Sequence, residues 1–169
     1  MSRSKILHIV RHAKSSWDYE NISDLDRPLK PRGINDAHEM ARRMKIRNTL
    51  PSLMISSPAN RALHTAVIFA RVIELPFSQL HIDPVIYSSD VNTLVLMIKK
   101  LDDKYPSVMI FGHNPEFSSM ADFLVSDPID DLPTCGMVRI SFNTDKWKEI
   151  GKDRVTDVFF DYPKKEMQI

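Results

Sequence analysis

The chain of 169 residues has the length of one domain, and its 43% hydrophobic and 27% charged residues are typical of a globular protein. Lys and Arg number 23 against 22 Asp and Glu, so the basic surplus of a non-specific nucleic-acid binder is absent. One cysteine, Cys135, excludes an intramolecular disulfide and indicates a reducing compartment. No apolar run reaches the ~18–20 residues that span a membrane. We therefore expect one cytoplasmic domain over residues 1–169, with no nucleic-acid or membrane partner.

Predicted strands and helices alternate along most of the chain. Short apolar runs predict buried strands at 6–10, 53–56 and 108–111, an alternating pattern predicts a half-exposed strand at 138–142, and another strand is expected at 155–160. Apolar stripes predict helices within 37–44, 62–73, 94–101 and 117–124. A polar, irregular stretch from Ala13 to Gly33 precedes the first helix. This order predicts an α/β fold, a three-layer α/β/α sandwich with a mostly parallel sheet and an antiparallel edge strand.

Polar side chains follow three of the predicted strands. Arg11 and His12 come directly after the first, Ser56–Pro58 after the second, and Gly112–Pro115 after the third. Because ligands of parallel sheets bind beyond the carboxyl ends of the strands, we expect these segments to share one site. Arg61 lies in the first turn of the next helix, and an arginine and a helix N-terminus both favour phosphate. Any one of these residues alone is equally consistent with a solvated side chain, so it is the set that indicates an anion site.

Four segments carry a family resemblance. They read Arg11-His12-Ala13, Asp24-Leu25-Asp26-Arg27-Pro28-Leu29 with Gly33 four residues on, Ser57 to Thr65 with Arg61-Ala62 inside, and Gly112-His113-Asn114-Pro115. In this order they resemble the motifs of the histidine phosphatase superfamily, also called phosphoglycerate mutase-like. The second segment is similar to that of the small SixA-type phosphohistidine phosphatases. The resemblance covers nearly the whole chain, as far as residues 134–136, and it implies a phosphoglycerate mutase-like fold.

The resemblance also implies roles for individual residues. His12 is the implied nucleophile, and the implied ligands of the phosphoryl oxygens are Arg11, Arg61 and His113. Ser15 and Asn114 are further substrate-binding candidates, although a plain loop role for Ser15 is an equal alternative. Phosphoryl transfer needs an in-line nucleophile and positive charge on the equatorial oxygens, so we expect no metal and no cofactor. The flanking arginines are expected to lower the histidine pKa from ~6.5 and keep His12 neutral.

Two positions depart from the family pattern, and the general acid is unassigned. Ala13 replaces the usual glycine, so we expect no positive φ there. Asp18 stands where the family has a phosphate-contacting asparagine; since a carboxylate repels phosphate, we expect it to orient Arg11 or to point outward. Asp90 and Glu116 are the candidate acids. An N-cap role for Asp90 and a helix-dipole role for Glu116 are strong alternatives.

The lack of an evident acid favours phosphohistidine as the substrate, since a protonated phosphoimidazole leaves as neutral imidazole. We therefore predict a metal-independent phosphatase that acts on phosphohistidine in a protein, such as a phosphorelay domain. A small-molecule phosphomonoesterase of the same superfamily, with Asp90 or Glu116 as acid, is one alternative. A non-catalytic phosphate-binding module is another. Asp24, Asp26 and Arg27 are expected to form a loop network at the pocket rim, with Arg27 structural.

Overall fold

The computed structural model describes residues 4–167, which build one six-stranded sheet covered by helices. The strands are β1 (Ser4–Arg11), β2 (Leu53–Ser56), β3 (Leu80–Ile82), β4 (Ser107–Gly112), β5 (Met137–Asn143) and β6 (Val155–Asp161). The helices are α1 (Pro31–Arg47), α2 (Asn60–Ile73), α3 (Val85–Ser88), α4 (Val91–Lys99) and α5 (Glu116–Leu124). Within the described range, none of them is long and apolar enough to cross a bilayer.

Two apolar cores lie on opposite faces of the sheet. Val108 and Ile110 of β4 belong to the core formed with α4 and α5, whereas Met109 and Phe111 belong to the core formed with α1 and α2. Because side chains of a strand alternate between faces, a strand covered on both sides needs an unbroken apolar sequence, and every residue of β4 is buried. The predicted three-layer α/β/α arrangement is confirmed.

The sheet order β3-β2-β4-β1-β5-β6 places β1 and β4 side by side at the centre. The first four strands run parallel, and β5 pairs antiparallel with both β1 and β6. The predicted mostly parallel sheet with an antiparallel edge strand is confirmed, because the edge strand β6 pairs antiparallel with β5. The burial agrees with this order, because Val138, Ile140 and Phe142 of the internal strand β5 are buried, whereas β6 is largely accessible.

Two elements depart from the predicted boundaries. β3 has three residues, two of them exposed, so it is too short to produce a pattern. Helix α1 begins at Pro31, whose fixed φ suits the first helical position, and therefore includes Gly33, which was expected in the preceding loop. A Cβ at Gly33 would collide with the backbone of Lys14. The start of α1 is thereby packed directly against the loop that follows β1.

Candidate active site

The carboxyl ends of β1, β4 and β2 form one cleft that brings the three predicted segments together. The His12 amide donates to the Gly112 carbonyl at 3.0 Å, and the Ser57 amide donates to the Phe111 carbonyl at 3.0 Å. The cleft holds a cavity of about 220 Å³, whose lining residues are Arg11, His12, Lys14, Ser15, Trp17, Arg27, Arg61, His113, Asn114 and Thr134. The residues predicted to act as nucleophile and to bind phosphate or substrate therefore all line the same cavity.

The orientation of the His12 ring is fixed by its own chain. Nδ1 lies 2.7 Å from the carbonyl oxygen of Ala13. Because a carbonyl oxygen only accepts, Nδ1 carries the hydrogen, and the lone pair of the neutral ring is on Nε2. Ala13 is not among the residues of the described chain with positive φ, as predicted. A single short loop thus sets the tautomer of the candidate nucleophile.

The environment keeps His12 unprotonated. Burial is the largest cause that lowers its pKa, and the His113 ring and the charges of Arg61 and Arg11 lower it further, against the opposing hydrogen bond to the Ala13 carbonyl, to about 3. At neutral pH the ring is therefore a neutral base with a free electron pair. The arginines that lower this pKa also stabilise negative charge brought into the cavity.

His113 lies beside His12, with the ring centroids 5.4 Å apart. Its Nε2 is 2.8 Å from Ser57 Oγ, while Ser57 Oγ accepts from the Ala59 amide. Within the part of the chain that the structure describes, Nδ1 of His113 is buried without a hydrogen-bond partner. Burial, followed by the charge of Arg61, lowers the pKa of His113 to about 4.

Two arginines line the cavity with donors unused, and of these Arg61 is buried and Arg11 is half-buried. Arg61 donates from Nη1 to the Asp24 carbonyl at 2.7 Å and from Nη2 to the Asp24 carboxylate at 3.0 Å. Arg11 donates from Nη1 to the Leu132 carbonyl at 2.9 Å. The Nε atoms of both arginines are buried and have no hydrogen-bond partner among residues 4–167. Fixed donors of this kind suit an oxyanion.

The loop after β1 forms one wall of the cavity, where a network that includes Asp24 and Arg27 was expected at the rim. Arg27 lines the cavity. It donates from Nε to Asp24 at 3.0 Å and from Nη1 to Ser15 Oγ at 2.9 Å. Its guanidinium lies 3.5 Å from the centre of the Trp17 ring. The i, i+3 spacing of Asp24 and Arg27 permits this ion pair, so it is the sequence feature that indicates their contact.

Asn114 lines the cavity, but its amide is engaged elsewhere. Nδ2 donates at 3.0 Å to the Asp131 carboxylate and to the Leu132 carbonyl. Oδ1 accepts from the amide and the hydroxyl of Ser118. The Leu132 carbonyl is also the acceptor of Arg11, so Asn114 supports the segment that positions this arginine.

The two candidate acids and Asp18 lie outside the lining of the cavity. Asp90 is the N-cap of α4, where its side chain accepts from the Thr93 amide at 2.8 Å. Glu116 is the first residue of α5. Asp18 is exposed, and its amide donates to Ser16 Oγ, which agrees with the outward orientation rather than with a contact to Arg11.

The segment before β5 supports the end of β1 from the other side. The Cys135 amide donates to the carbonyls of Arg11 and His12 at 3.1 and 3.0 Å. The thiol is buried, and burial raises its pKa above the usual range, which excludes a ready thiolate nucleophile at neutral pH. In residues 4–167, no group of three or more His, Cys, Asp or Glu side chains is placed to hold a metal ion.

The sequence matches known proteins over the same regions. A family model described as the histidine phosphatase superfamily (branch 1) matches residues 7–90, the span that includes His12 and Arg61. This chain belongs to the histidine phosphatase superfamily. Membership supports a phosphatase activity. An uncharacterised chloroplastic protein of Arabidopsis thaliana is 31% identical over 157 residues, which cover 88% of this chain and 71% of the relative. An uncharacterised Mycobacterium tuberculosis protein is 29% identical, covering 80% and 82%.

Solved structures share the fold of this superfamily member. A protein described as phosphohistidine phosphatase SixA from Agrobacterium tumefaciens superposes with a TM-score of 0.76 at 23% identity, covering 92% of this chain and 97% of that one. A structure of the protein histidine phosphatase SixA complexed with tungstate has a TM-score of 0.80 at 20% identity, covering 94% and 97%. The predicted phosphoglycerate mutase-like fold of the SixA type is confirmed.

Proposed function

We propose that this protein is a metal-independent phosphatase that works through a phosphohistidine intermediate on His12 and dephosphorylates phosphohistidine in a protein substrate, such as a phosphorelay domain. The observation that carries the proposal is the 2.7 Å hydrogen bond from His12 Nδ1 to the Ala13 carbonyl, made in a cavity that Arg11, Arg61 and His113 also line. It leaves Nε2 as the nucleophilic atom among groups suited to phosphoryl oxygens.

The reaction follows from these groups in two displacements. The Nε2 lone pair of His12 attacks phosphorus in line with the leaving group; the Nε2–P bond forms and the P–N bond of the substrate breaks. The substrate ring, protonated on its other nitrogen, takes the bonding electrons and leaves as neutral imidazole. Water then attacks phosphorus, and the Nε2–P electrons return to His12. Inorganic phosphate leaves with the water oxygen, and its surplus proton passes to solvent.

The lining of the cavity offers a leaving group no carboxylic acid that could protonate it, which favours a phosphoramidate substrate over an ester. An alkoxide leaving group needs a proton donor, and no residue that lines the cavity is an acid. Burial alone would raise the pKa of Asp24, but hydrogen bonds from Tyr87, Arg61 and Arg27 lower it to about 2, so Asp24 holds no proton at neutral pH. The phosphomonoesterase alternative, which needs Asp90 or Glu116 at the leaving group, is therefore the weaker one.

The intact set of His12, Arg11, Arg61 and His113 argues against a non-catalytic phosphate-binding module, which needs no positioned nucleophile.

Two further expectations belong to this proposal. A cytoplasmic location stays a prediction from the single cysteine. So does the absence of a nucleic-acid partner, which follows from the balanced charge.

The test compares wild-type protein with His12→Ala on a phosphohistidine-bearing protein and on a panel of phosphate esters. We expect the wild type to release phosphate from phosphohistidine, and His12→Ala to reduce the rate by about 10⁴-fold or more. His81→Ala, at an exposed histidine remote from the cavity lining, is the matched control and keeps full activity. Rapid quenching with radiolabelled substrate should trap acid-labile phosphate on the wild type and none on His12→Ala.

Three results would reject parts of this proposal. Rapid turnover of esters with indifference to phosphohistidine would reject the substrate. Equal labelling of wild type and His12→Ala would reject the nucleophile. No turnover of any compound by a protein that binds phosphate would favour the binding module.

A further inference from the structure

Trp17 is the most exposed large hydrophobic residue of the described chain, with 74% of its surface accessible, and yet it lines the cavity. His12, at the same cavity, is 8% exposed. The cavity therefore has a buried end at His12 and an end open to solvent, its mouth, at Trp17. Because both residues line one cavity, a ligand whose phosphoryl end lies against His12 can also contact Trp17.

The indole of Trp17 packs against the guanidinium group of Arg27. Arg27 is 8% exposed and is fixed by hydrogen bonds to Asp24 and Ser15, and its guanidinium stacks 3.5 Å from the centre of the indole. Such a cation–π contact covers one face of the ring. Because Trp17 is nevertheless largely accessible, the rest of the ring is presented to whatever occupies the mouth.

The size of the cavity shows which part of a ligand it can hold. About 220 Å³ accommodates a phosphoryl group and one small ring, and the rest of a larger ligand extends past the mouth. Planar rings gain from offset or edge-to-face contact with an aromatic side chain, whereas a saturated alcohol or a simple amine offers no π surface. The mouth therefore distinguishes leaving groups by whether they contain a flat ring.

We propose that Trp17 is a specificity-determining residue that contacts the imidazole ring of the substrate phosphohistidine. This inference rests on the proposed function, because it names the part of that substrate that the mouth recognises. An indole ring in contact with imidazole holds the leaving group in line with His12 Nε2 without donating a proton to it. It thus favours phosphohistidine over phosphoryl compounds that lack a ring.

The test measures kcat/KM of wild type, Trp17→Ala and Trp17→Phe on phosphohistidine in a protein, free phosphohistidine and phosphoramidate, which has a P–N bond but no ring. Trp17→Ala should lower kcat/KM about tenfold on both ring substrates, chiefly through KM, and leave phosphoramidate within about twofold. Trp17→Phe should retain most of the activity. Tyr19→Ala is the matched control, since Tyr19 is 61% exposed on the same loop but does not line the cavity.

Each other outcome overturns the inference in a recognisable way. An equal loss on phosphoramidate would mean that Trp17 acts only by holding Arg27. A loss confined to the protein substrate would assign Trp17 to contacts with the protein surface rather than with the ring. No loss on any substrate would remove Trp17 from recognition. A wild type that turns over phosphoramidate but not phosphohistidine would reject the proposed substrate, and this inference with it.

Discussion

Arg43 and Arg61 are buried to a similar degree, with 5% and 6% of their surfaces exposed, but their surroundings differ. All three guanidinium nitrogens of Arg43, in α1, have partners. They donate to the Glu39 and Asp161 carboxylates and to the backbone carbonyls of residues 162 and 163, at 2.9–3.1 Å. Among the described residues, the guanidinium group of Arg61, in α2, donates only to Asp24, and its Nε has no partner.

This difference separates an arginine whose donors are all satisfied within the fold from one with a donor left unused. Removal of a guanidinium group from water is costly unless its donors are satisfied, and the contacts of Arg43 meet that requirement within the fold. Arg61 leaves the requirement partly unmet, and so does Arg11, because the Nε atom of each has no partner among the described residues. In the proposed function, the phosphoryl group binds to these two arginines in the cavity that both of them line.

The largest expected effect comes from removing Arg61. Arg61→Ala should lower kcat/KM by about 10²–10³-fold, the usual loss when one transition-state donor is removed. Its unfolding free energy should change by less than about 1 kcal/mol, because its acidic partner, Asp24, is half-exposed. Steady-state kinetics and urea unfolding of the same preparation measure both quantities.

Arg43→Ala is the matched control for that experiment. It removes one of two ion-pair partners of the Asp161 carboxylate, which is 1% exposed and keeps its contact with Arg47. The substitution should therefore lower the free energy of unfolding by about 3 kcal/mol. At a temperature where the variant is still folded, its kcat/KM should stay within about twofold of wild type. A reversed pattern, with Arg43→Ala inactive and Arg61→Ala unstable, would remove the distinction between the two arginines.

A smaller effect is expected from each buried histidine, because no acidic partner in the described chain compensates for a charge on its ring. Burial lowers the pKa of His8 to about 4 and that of His12 to about 3. Since the unfolded chain takes up these protons near pH ~6.5, the unfolding free energy should fall as pH decreases from 6.5 towards 4.5, by about 1.4 kcal/mol per pH unit for each histidine. Stability is therefore present above pH 6.5 and lost on acidification.

His8→Met should remove one of these contributions and reduce the slope of unfolding free energy against pH by about 1.4 kcal/mol per unit. Urea unfolding at half-unit pH steps measures it, with His81→Gln at an exposed site as control. An unchanged slope in His8→Met would show that His8 is protonated in the fold.

The smallest expected effect concerns Asp90. Asp90→Ala removes the N-cap of α4 and should cost about 1 kcal/mol of stability, with unchanged turnover of every substrate. Asp90→Asn keeps a capping oxygen and should match wild type in both measurements, as should Glu116→Gln in turnover. If Asp90→Asn folded normally but lost ester hydrolysis, Asp90 would be a proton donor after all.

The sequence predicted the parts of the molecule that depend on strong local patterns. The apolar runs of β1, β2 and β4 end where the polar segments begin. Because ligands of parallel sheets bind at the carboxyl ends of the strands, these boundaries predicted that His12, Arg61 and His113 lie close together. The four longer helices followed from apolar stripes, with boundaries displaced by a few residues, as at Pro31 in α1.

The irregular loop between β1 and α1 could not be predicted in this way. Its contacts join residues without periodic spacing, as in the stack of Trp17 on Arg27 and the bond of Asp24 to Arg61. The position of β5 within the sheet could not be predicted either, because alternation reports one buried face of a strand but not how many neighbours the strand has. Asn114 shows the same limit, since its type suggested a ligand while its amide stabilises the chain near Leu132.

Gly33 affects how tightly the cavity can bind a ligand, because the loop after β1 packs against it. The Lys14 backbone rests on Gly33, its carbonyl accepts from the Lys30 amide, and the Ser16 amide donates to the Pro28 carbonyl. The loop that carries Ser15 and Trp17 is therefore immobilised before any ligand arrives. Because ordering a loop on association consumes affinity, a loop that is already held in place lets the cavity bind a ligand without that cost.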